Sequence, residues 1–471
     1  MSKRCRPLIS WYLFPILMLF TTVEYADAQN RVRIVQSDRL EGVETEDGRI
    51  RKLIGDVRLE TDDFTIVCDS AWQYLDLDEL VAYGNISIES DREQIWSDKA
   101  TYDLDSEVTL FEGRVVMQSE NALLFSEEVF YSFATEIALF PEYLRLEDDR
   151  GVLVADSGYY YNALDSAIFR GNVQIADSLQ YIEADSVFTN REDEYYELYG
   201  RVFLDDEENR TRLTGAFVLA DSTGYRRVEG GSRMRRVNEA ETDTTYLWSD
   251  WLEVHQRDTI NTFTAYDDVH IWTESYSSLS DTAHYDDATE QFILEGGGPR
   301  LWYEDMQLTG PHILIQMEED SVRFLEAVNR PFAVQRDTAL NRLNQITGDT
   351  LYIQFRDGAV SYMDSYPQGH VLYFVKESDG NPDGAIDVTA DFIRLLFNEG
   401  ELDSVIARQN VDGTYISEHP EIADRTLDGF AWDPEFRPQR PDERMEQRLP
   451  PIPDERPFEP PPLFLEARRE E

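Results

Sequence analysis

Three features of the sequence predict an all-β fold, an elongated antiparallel jelly roll or solenoid built from 29-residue repeats. First, a Gly-x-(Val/Ile)-x-(Leu/Ile/Met) string recurs from Gly55, Gly84, Gly113, Gly171 and Gly200, with starts 29, 29, 58 and 29 residues apart. The absent member falls in phase at Glu142-Tyr143-Leu144-Arg145-Leu146, which keeps both apolar positions and lacks only the glycine. Second, Val57 and Leu59 alternate with Asp56 and Arg58, and Ile86 and Ile88 with Asn85 and Ser87. That is the period of two of a half-buried strand. Third, acidic turn clusters such as Asp76-Leu77-Asp78-Glu79 and Asp105-Ser106-Glu107 separate the apolar stretches. Each unit therefore reads as two or three short strands joined by turns, and such a unit buries its apolar face only by stacking on its neighbours.

Taken from the N-terminus, residues 1–28 read as an export signal. Lys3, Arg4 and Arg6 precede the apolar run Trp11 to Phe20, and Ala26-Asp27-Ala28 supplies the small-x-small cleavage pattern. The mature chain is expected to begin near Gln29 as an exported protein, since no later apolar run is long enough to span a bilayer. Cys5 lies before the apolar run, where a lipid-anchored cysteine would have to follow it. Cys68 is then the sole remaining thiol, so no intrachain disulfide is expected and stability must come from packing and repetition.

Residues 29–230 form the regular stretch. In phase with the glycines run Asp69, Asp98, Glu127, Asp156 and Asp185, each 29 residues after the last. Apolar columns accompany them, among them Ile66/Ile95/Leu124/Leu153/Ile182 and Ala82/Phe111/Phe140/Phe169/Leu198. Fully burying one such side chain contributes roughly 1.5 to 3 kcal/mol, so stacked columns make a continuous core. From 231 to 415 the period loosens while the vocabulary persists, as in Gly348-Asp349-Thr350-Leu351-Tyr352 and Thr389-Ala390-Asp391-Phe392-Ile393. This reads as a second, degenerate stretch of the same architecture or as one spine with insertions, the Gly/Arg-rich piece Gly230 to Arg236 marking the boundary. Residues 416–471 form a Pro-rich tail, extended or disordered; ten of the nineteen prolines follow Ala431.

Composition narrows function. With 43 Lys plus Arg against 94 Asp plus Glu, the formal net charge of -51 repels phosphate backbones and excludes nucleic acid as a partner. Only four of the cations are lysines, a surface suited to strong salt or to an acidic family in general. The six histidines form no metal-ligand pattern, and no nucleophile elbow, phosphate loop or dinucleotide fingerprint occurs. No catalytic residue, metal or cofactor is expected. A glycan-cleaving solenoid would need paired carboxylates in a cleft, with Asp98 and Asp156 the ones to replace as a test. The column Trp72, Phe130, Tyr159, Phe188 reads as core or cross-strand pairing, with sugar stacking as the alternative.

The phased strings Gly84-Asn85-Ile86, Ser97-Asp98-Lys99-Ala100-Thr101-Tyr102, Gly171-Asn172-Val173 and Ala184-Asp185-Ser186 resemble those of the LptA/OstA family, periplasmic lipopolysaccharide-transport proteins. The resemblance covers residues 55 to 229 and is weaker from 231 to 415. It implies two antiparallel sheets facing each other as an open, V-shaped jelly roll whose apolar interior holds acyl chains, with units joined end to end through edge strands. Partners so implied are lipopolysaccharide or another acylated lipid, other bridge proteins of lipid transport by edge-strand pairing, and further copies of the chain. The place is the periplasm, in association with the outer membrane. If the sheets stand apart, the apolar columns line the groove. The candidate lining is Val57, Leu59, Ile66, Ile86, Ile88, Ile95, Phe111, Val115, Met117, Leu124, Phe140, Leu153, Phe169, Val173, Ile175 and Ile182. The expected function is non-enzymatic lipid transport for outer-membrane assembly; the alternative is a structural or adhesive surface solenoid with no lipid ligand. The acidity leaves few cations for lipid phosphates, and a short tail, not a long barrel, follows residue 430.

Overall fold

The computed structural model describes residues 32–470 except 46–47, 91, 120–121, 191–193, 239, 258–259, 319–320, 378–379, 399 and 442–448; the expected export signal lies outside them. Among the described residues, 34 strands pair antiparallel in one continuous hydrogen-bonded ladder. The all-β expectation holds, and the reason for the 29-residue period is visible in the winding.

A strand such as Glu79–Glu89 is bent at its middle. Gly84 (φ +73°) and Asn85 (φ +44°) occupy the left-handed region there, and the register against the preceding strand shifts between Val67 and Ser70. Left-handed backbone suits Gly and is tolerated by Asn. The bend sends residues 79–83 into one half of the ladder and 86–89 into the other, so the ladder folds along a line of corners into two facing leaves. One unit is a hairpin in the first leaf, a corner, a hairpin in the second leaf and a corner back. This round trip takes 29 residues.

The aspartate column belongs to the same device. Asn85 Nδ2 donates to Asp69 Oδ2 at 3.0 Å, Arg114 Nε to Asp98 at 2.8 Å, Asn172 Nδ2 to Asp156 at 2.8 Å and Arg201 Nη2 to Asp185 at 2.8 Å. Each carboxylate lies against the glycine of the following strand's corner; a Cβ added at Gly84 would sit 2.4 Å from Asp69 Oδ2. Where the column carries Glu127 and the glycine is replaced by Glu142, the strand splits into Ile137–Phe140 and Leu144–Glu147.

The ladder is not interrupted at residue 230, since strand Tyr225–Val237 pairs with Thr211–Ala220 on one side and Thr244–Arg257 on the other. Beyond Glu295 the corners become complete breaks, as at Gly296 to Pro299, and the turns lengthen, but the winding stays the same. Met306 pairs with Gln335 in the first leaf and Phe324 with Gln354 in the second. Among the described residues, edge strands have a partner on one side only at both ends of the ladder: Arg33–Gln36 and Arg39–Thr45 at the start, Glu401–Arg408 and Asp412–Ser417 at the finish.

The Pro-rich tail is ordered over its described parts. It turns back at the last strand and runs as an extended strap along the outer face of the first leaf. Proline has no N–H to offer a ladder, so side chains of the leaf hold the strap instead. Gln345 accepts from Leu427 N (2.8 Å) and donates to Arg425 O (3.1 Å); Gln307 accepts from Asp433 N (2.8 Å) and donates to Ala431 O (3.3 Å). Further on, Gln174 donates to Pro450 O at 2.7 Å and Arg145 to Pro453 O at 2.6 Å. The strap ends in helix Pro462–Glu470, whose Phe464 packs edge-on against Trp96, with ring centroids 5.1 Å apart. Among the described residues, the second leaf's outer face carries no such cover.

Candidate functional site

The inward faces of the two leaves meet in one apolar cluster running from Leu53 to Leu395. The first leaf contributes Val57, Leu59, Ile66, Ile86, Ile88, Ile95, Val115, Met117, Leu124, Leu153, Val173, Ile175 and Ile182. The second contributes Phe111, Phe140 and Phe169. Fourteen of the sixteen candidate lining residues are buried members of this cluster, and the half-buried Ile175 and Ile182 pack against it. The columns thus mark the interior, and the two leaves are packed against each other. Cys68 is buried there too, its Sγ donating to Ser70 O at 3.3 Å; burial and then the Asp69 charge push the thiol up to about 12.

What closes the interior on the side opposite the corners is a seam of side chains, not backbone pairing. Phe64, on the first leaf's lip, stacks on Phe133 of the second leaf's lip with ring centroids 4.1 Å apart, and meets Tyr102 edge-on at 5.4 Å. Arg92 donates to Glu136 at 2.9 Å, Arg236 lies 3.6 Å from Asp287, and Tyr303 donates to Gly358 O at 2.7 Å. At the middle of the seam Glu93, 5% exposed, accepts from Tyr131 Oη at 2.6 Å and from Asn162 Nδ2, while Ser119 Oγ donates to Asn162 Oδ1 at 2.6 Å. Burial and Glu93 hold the Tyr131 phenol far above the ordinary tyrosine range. Exposed ion pairs such as Arg92–Glu136 contribute at most about 1 kcal/mol; the stacked rings add about 0.5–1.5 kcal/mol. Parting the seam breaks no rung of the ladder.

Sequence reasoning did not single out this seam. Its signal was available in part: Tyr102, Tyr131 and Tyr160 are themselves 29 residues apart and stand at the lip end of the second leaf. Phe64 and Glu93 are likewise 29 residues apart, as are Phe133 and Asn162, but only the facing of the leaves shows that these columns meet.

The carboxylates weighed for chemistry are engaged elsewhere. Asp98 and Asp156 sit at corners with Arg114 and Asn172 as partners, not paired in a cleft. The aromatic column Trp72, Phe130, Tyr159, Phe188 lies on the outer face of the second leaf, half-buried. It is interleaved across strands with Val81, Leu110, Leu139 and Ile168.

Residues 29–185 match the family model of OstA-like proteins, so the resemblance read from the phased strings holds over the first part of the chain. Among solved structures, the lipopolysaccharide-transport component LptH of Pseudomonas aeruginosa, an LptA homologue of the periplasm, is 13% identical. It aligns with 24% of this chain and 82% of its own, at a TM-score of 0.22. The WD40 domain of SCAP from fission yeast is 9% identical over 84% of this chain and 92% of its own, at a TM-score of 0.11. At these scores the overlays add nothing to the fold read from the ladder. No protein of curated function matches the chain.

Proposed function

We propose that this chain is a non-enzymatic lipid carrier of the periplasm, acting in transport of lipopolysaccharide or a related acylated lipid during outer-membrane assembly. The observation that carries the reading is the interior itself: one apolar line running from Leu53 to Leu395, closed at the lips, among the described residues, by side-chain contacts such as Phe64 on Phe133. Leaves that separate at the seam and pivot at the glycine corners keep every backbone hydrogen bond. Acyl chains then replace side chain against side chain at little cost in polar desolvation. The OstA-like match over residues 29–185 supports the same reading. Edge strands at both ends support end-to-end joining, with bridge proteins or with copies of the chain.

A structural or adhesive role is the second reading, favoured by the aromatic column on the second leaf's outer face. Mass spectrometry of organic extracts separates the two. The mature protein, purified in high salt from a membrane-bearing host, should yield stoichiometric acylated lipid. Ile95→Asp should abolish it in a protein whose circular dichroism is unchanged. A folded wild-type protein that comes out lipid-free, and takes up none when offered lipid, removes the carrier reading.

A further inference from the structure

The interior is not apolar up to its edge. On the inward face of the second leaf, one row of cross-strand neighbours runs just beneath the seam, from Tyr102 through Thr109, Tyr131 and Tyr160 to Thr189 and on to Arg226. Phe111 and Val187, two residues further along the same strands, belong to the apolar cluster, so alternation points Thr109 and Thr189 inward as well. The facing row on the first leaf's lip carries Glu93 paired with Ser119 and, further along, Gln180 paired with Asp206. Two polar rows thus border the apolar line on the side where the leaves part.

The rows meet across the seam at two carboxylates. Glu93 accepts from Tyr131 Oη and Asn162 Nδ2, both of the second leaf, and from Ser90 Oγ of its own lip. Asp206, 1% exposed, has Arg226 Nη1 of the second leaf at 3.5 Å and accepts from Asn209 Nδ2 of its own lip at 3.0 Å. Parting the leaves takes the opposite partners away and leaves each carboxylate with the rest. Thr109 and Thr189 have hydrogen-bonding capacity to spare even when the seam is closed. Both are buried, and the Oγ1 of each has no partner, a state that costs free energy in a dry interior. The other buried hydroxyls without a partner among the described residues, Ser278 and Ser280, also face the interior, opposite Ile271 and Val269. Hydrocarbon makes no use of any of these groups.

We propose that the two polar rows are a recognition band for the linkage region of the carried amphiphile, and that this linkage is uncharged and donates hydrogen bonds, as an acyl amide or hydroxyacyl group does. The inference rests on the carrier reading. With the leaves apart, Glu93 and Asp206 need donors, which an N–H or O–H supplies. Thr109 and Tyr131, neighbours across two strands, then have hydroxyls to offer a carbonyl oxygen. An ester has that carbonyl but nothing to donate, so it leaves the carboxylates short of partners where water is scarce. A phosphate at this depth would stand against Glu93 and Asp206, so the charged head belongs outside the lips. The chains then lie in the apolar line, with the linkage between the rows.

Equilibrium binding of two uncharged probes that carry the same fluorescent acyl chain tests this on the full mature chain. One is a ceramide, with an amide and free hydroxyls; the other is a diacylglycerol capped as its acetate, with esters alone. The wild type should bind the ceramide at least about tenfold more tightly, the worth of one or two hydrogen bonds. Thr109→Val with Thr189→Val should remove most of that preference by weakening the ceramide and not the ester. Its thermal midpoint should not fall below the wild type's, because the hydroxyls removed have no partner to lose. Thr109→Ser with Thr189→Ser keeps the hydroxyls and should keep the preference. Equal affinity of the wild type for both probes overturns the band and leaves the carrier reading standing, as does a preference that survives intact in the valine variant. Uptake of neither probe removes the carrier reading and the band with it. If the valine variant does not fold, the wild-type comparison alone decides.

Discussion

At the level of single residues, the corner glycine and the aspartate fifteen positions before it act as one contact. Gly84 sits at φ +73° with Asp69 against its Cα, and Asn85 ties the same carboxylate. Gly84→Ala should therefore cost about 1–2 kcal/mol, from left-handed strain and displacement of the carboxylate. Hydrogen exchange of the flanking amides would register this as faster local opening. Gly42→Ala, where a Cβ meets nothing within 4 Å, is the control and should change little; equal effects at both sites would refute the staple. Both columns were legible in the sequence because each repeats at 29, but their mutual contact was not. Linear spacing says that Asp69 and Gly84 recur together, and only the register shift at the bend shows that they touch. The same contact recurs out of phase with the column at Asp281, again fifteen positions before its glycine, Gly296, while Asp391 keeps only the asparagine tie, to Asn410 nineteen positions on.

Among elements, the strap is the one whose placement the sequence left open. Ten prolines after Ala431 exclude a further strand, but its seats are isolated outer-face residues: Gln174, Gln307, Gln345, Arg145 and Glu147. Arg145 and Gln174 stand one 29-residue period apart, but Glu147, Gln307 and Gln345 share no column with them, so the period does not predict the whole path. Glu147 is the seat with a pH dependence. Burial raises its pKa, but hydrogen bonds from Arg456 and Arg145 outweigh this and bring it below the ordinary 4.5. Arg456 Nη2 lies 2.7 Å from Glu147 Oε2 and joins strap to leaf. A carboxyl whose folded pKa is depressed stabilises the folded arrangement above its unfolded value. That stabilisation is lost as pH falls through the folded one. The strap should thus loosen below pH 4.5, and pepsin should cut at Phe458 or Phe464 faster as pH drops through that window. Glu147→Gln should make cleavage fast already at the top of the window. A variant as resistant as the wild type would show that Phe464 on Trp96 alone holds the strap.

For the whole molecule, the decisive asymmetry is that one edge of each leaf is covalently and hydrogen-bond continuous through the corners while the other is joined by side chains. The interior columns could be anticipated from alternation and period, since both follow from strand geometry, whereas the two facing sheets were implied only by the family resemblance. The closed seam could not be anticipated, because it depends on residues from different units facing each other across the lips. If lipid enters through the seam, tying the lips must block it. In a Cys68→Ala background, Phe64→Cys with Phe133→Cys and Arg236→Cys with Asp287→Cys place thiols at two contacts, one in the regular stretch and one beyond it. The native pairs stand at 4.1 Å between ring centroids and 3.6 Å between charged atoms. Oxidised protein should take up no fluorescent acyl lipid and should recover uptake on reduction, with intact mass confirming both bridges. The wild type adds an internal reporter: Cys68, with its thiol pushed up to about 12 inside the roll, should react slowly with a thiol reagent at neutral pH and faster as the leaves part. Equal uptake by oxidised and reduced protein would place entry at the ends of the ladder, where Arg33–Gln36 and Asp412–Ser417 have no further strand beside them among the described residues.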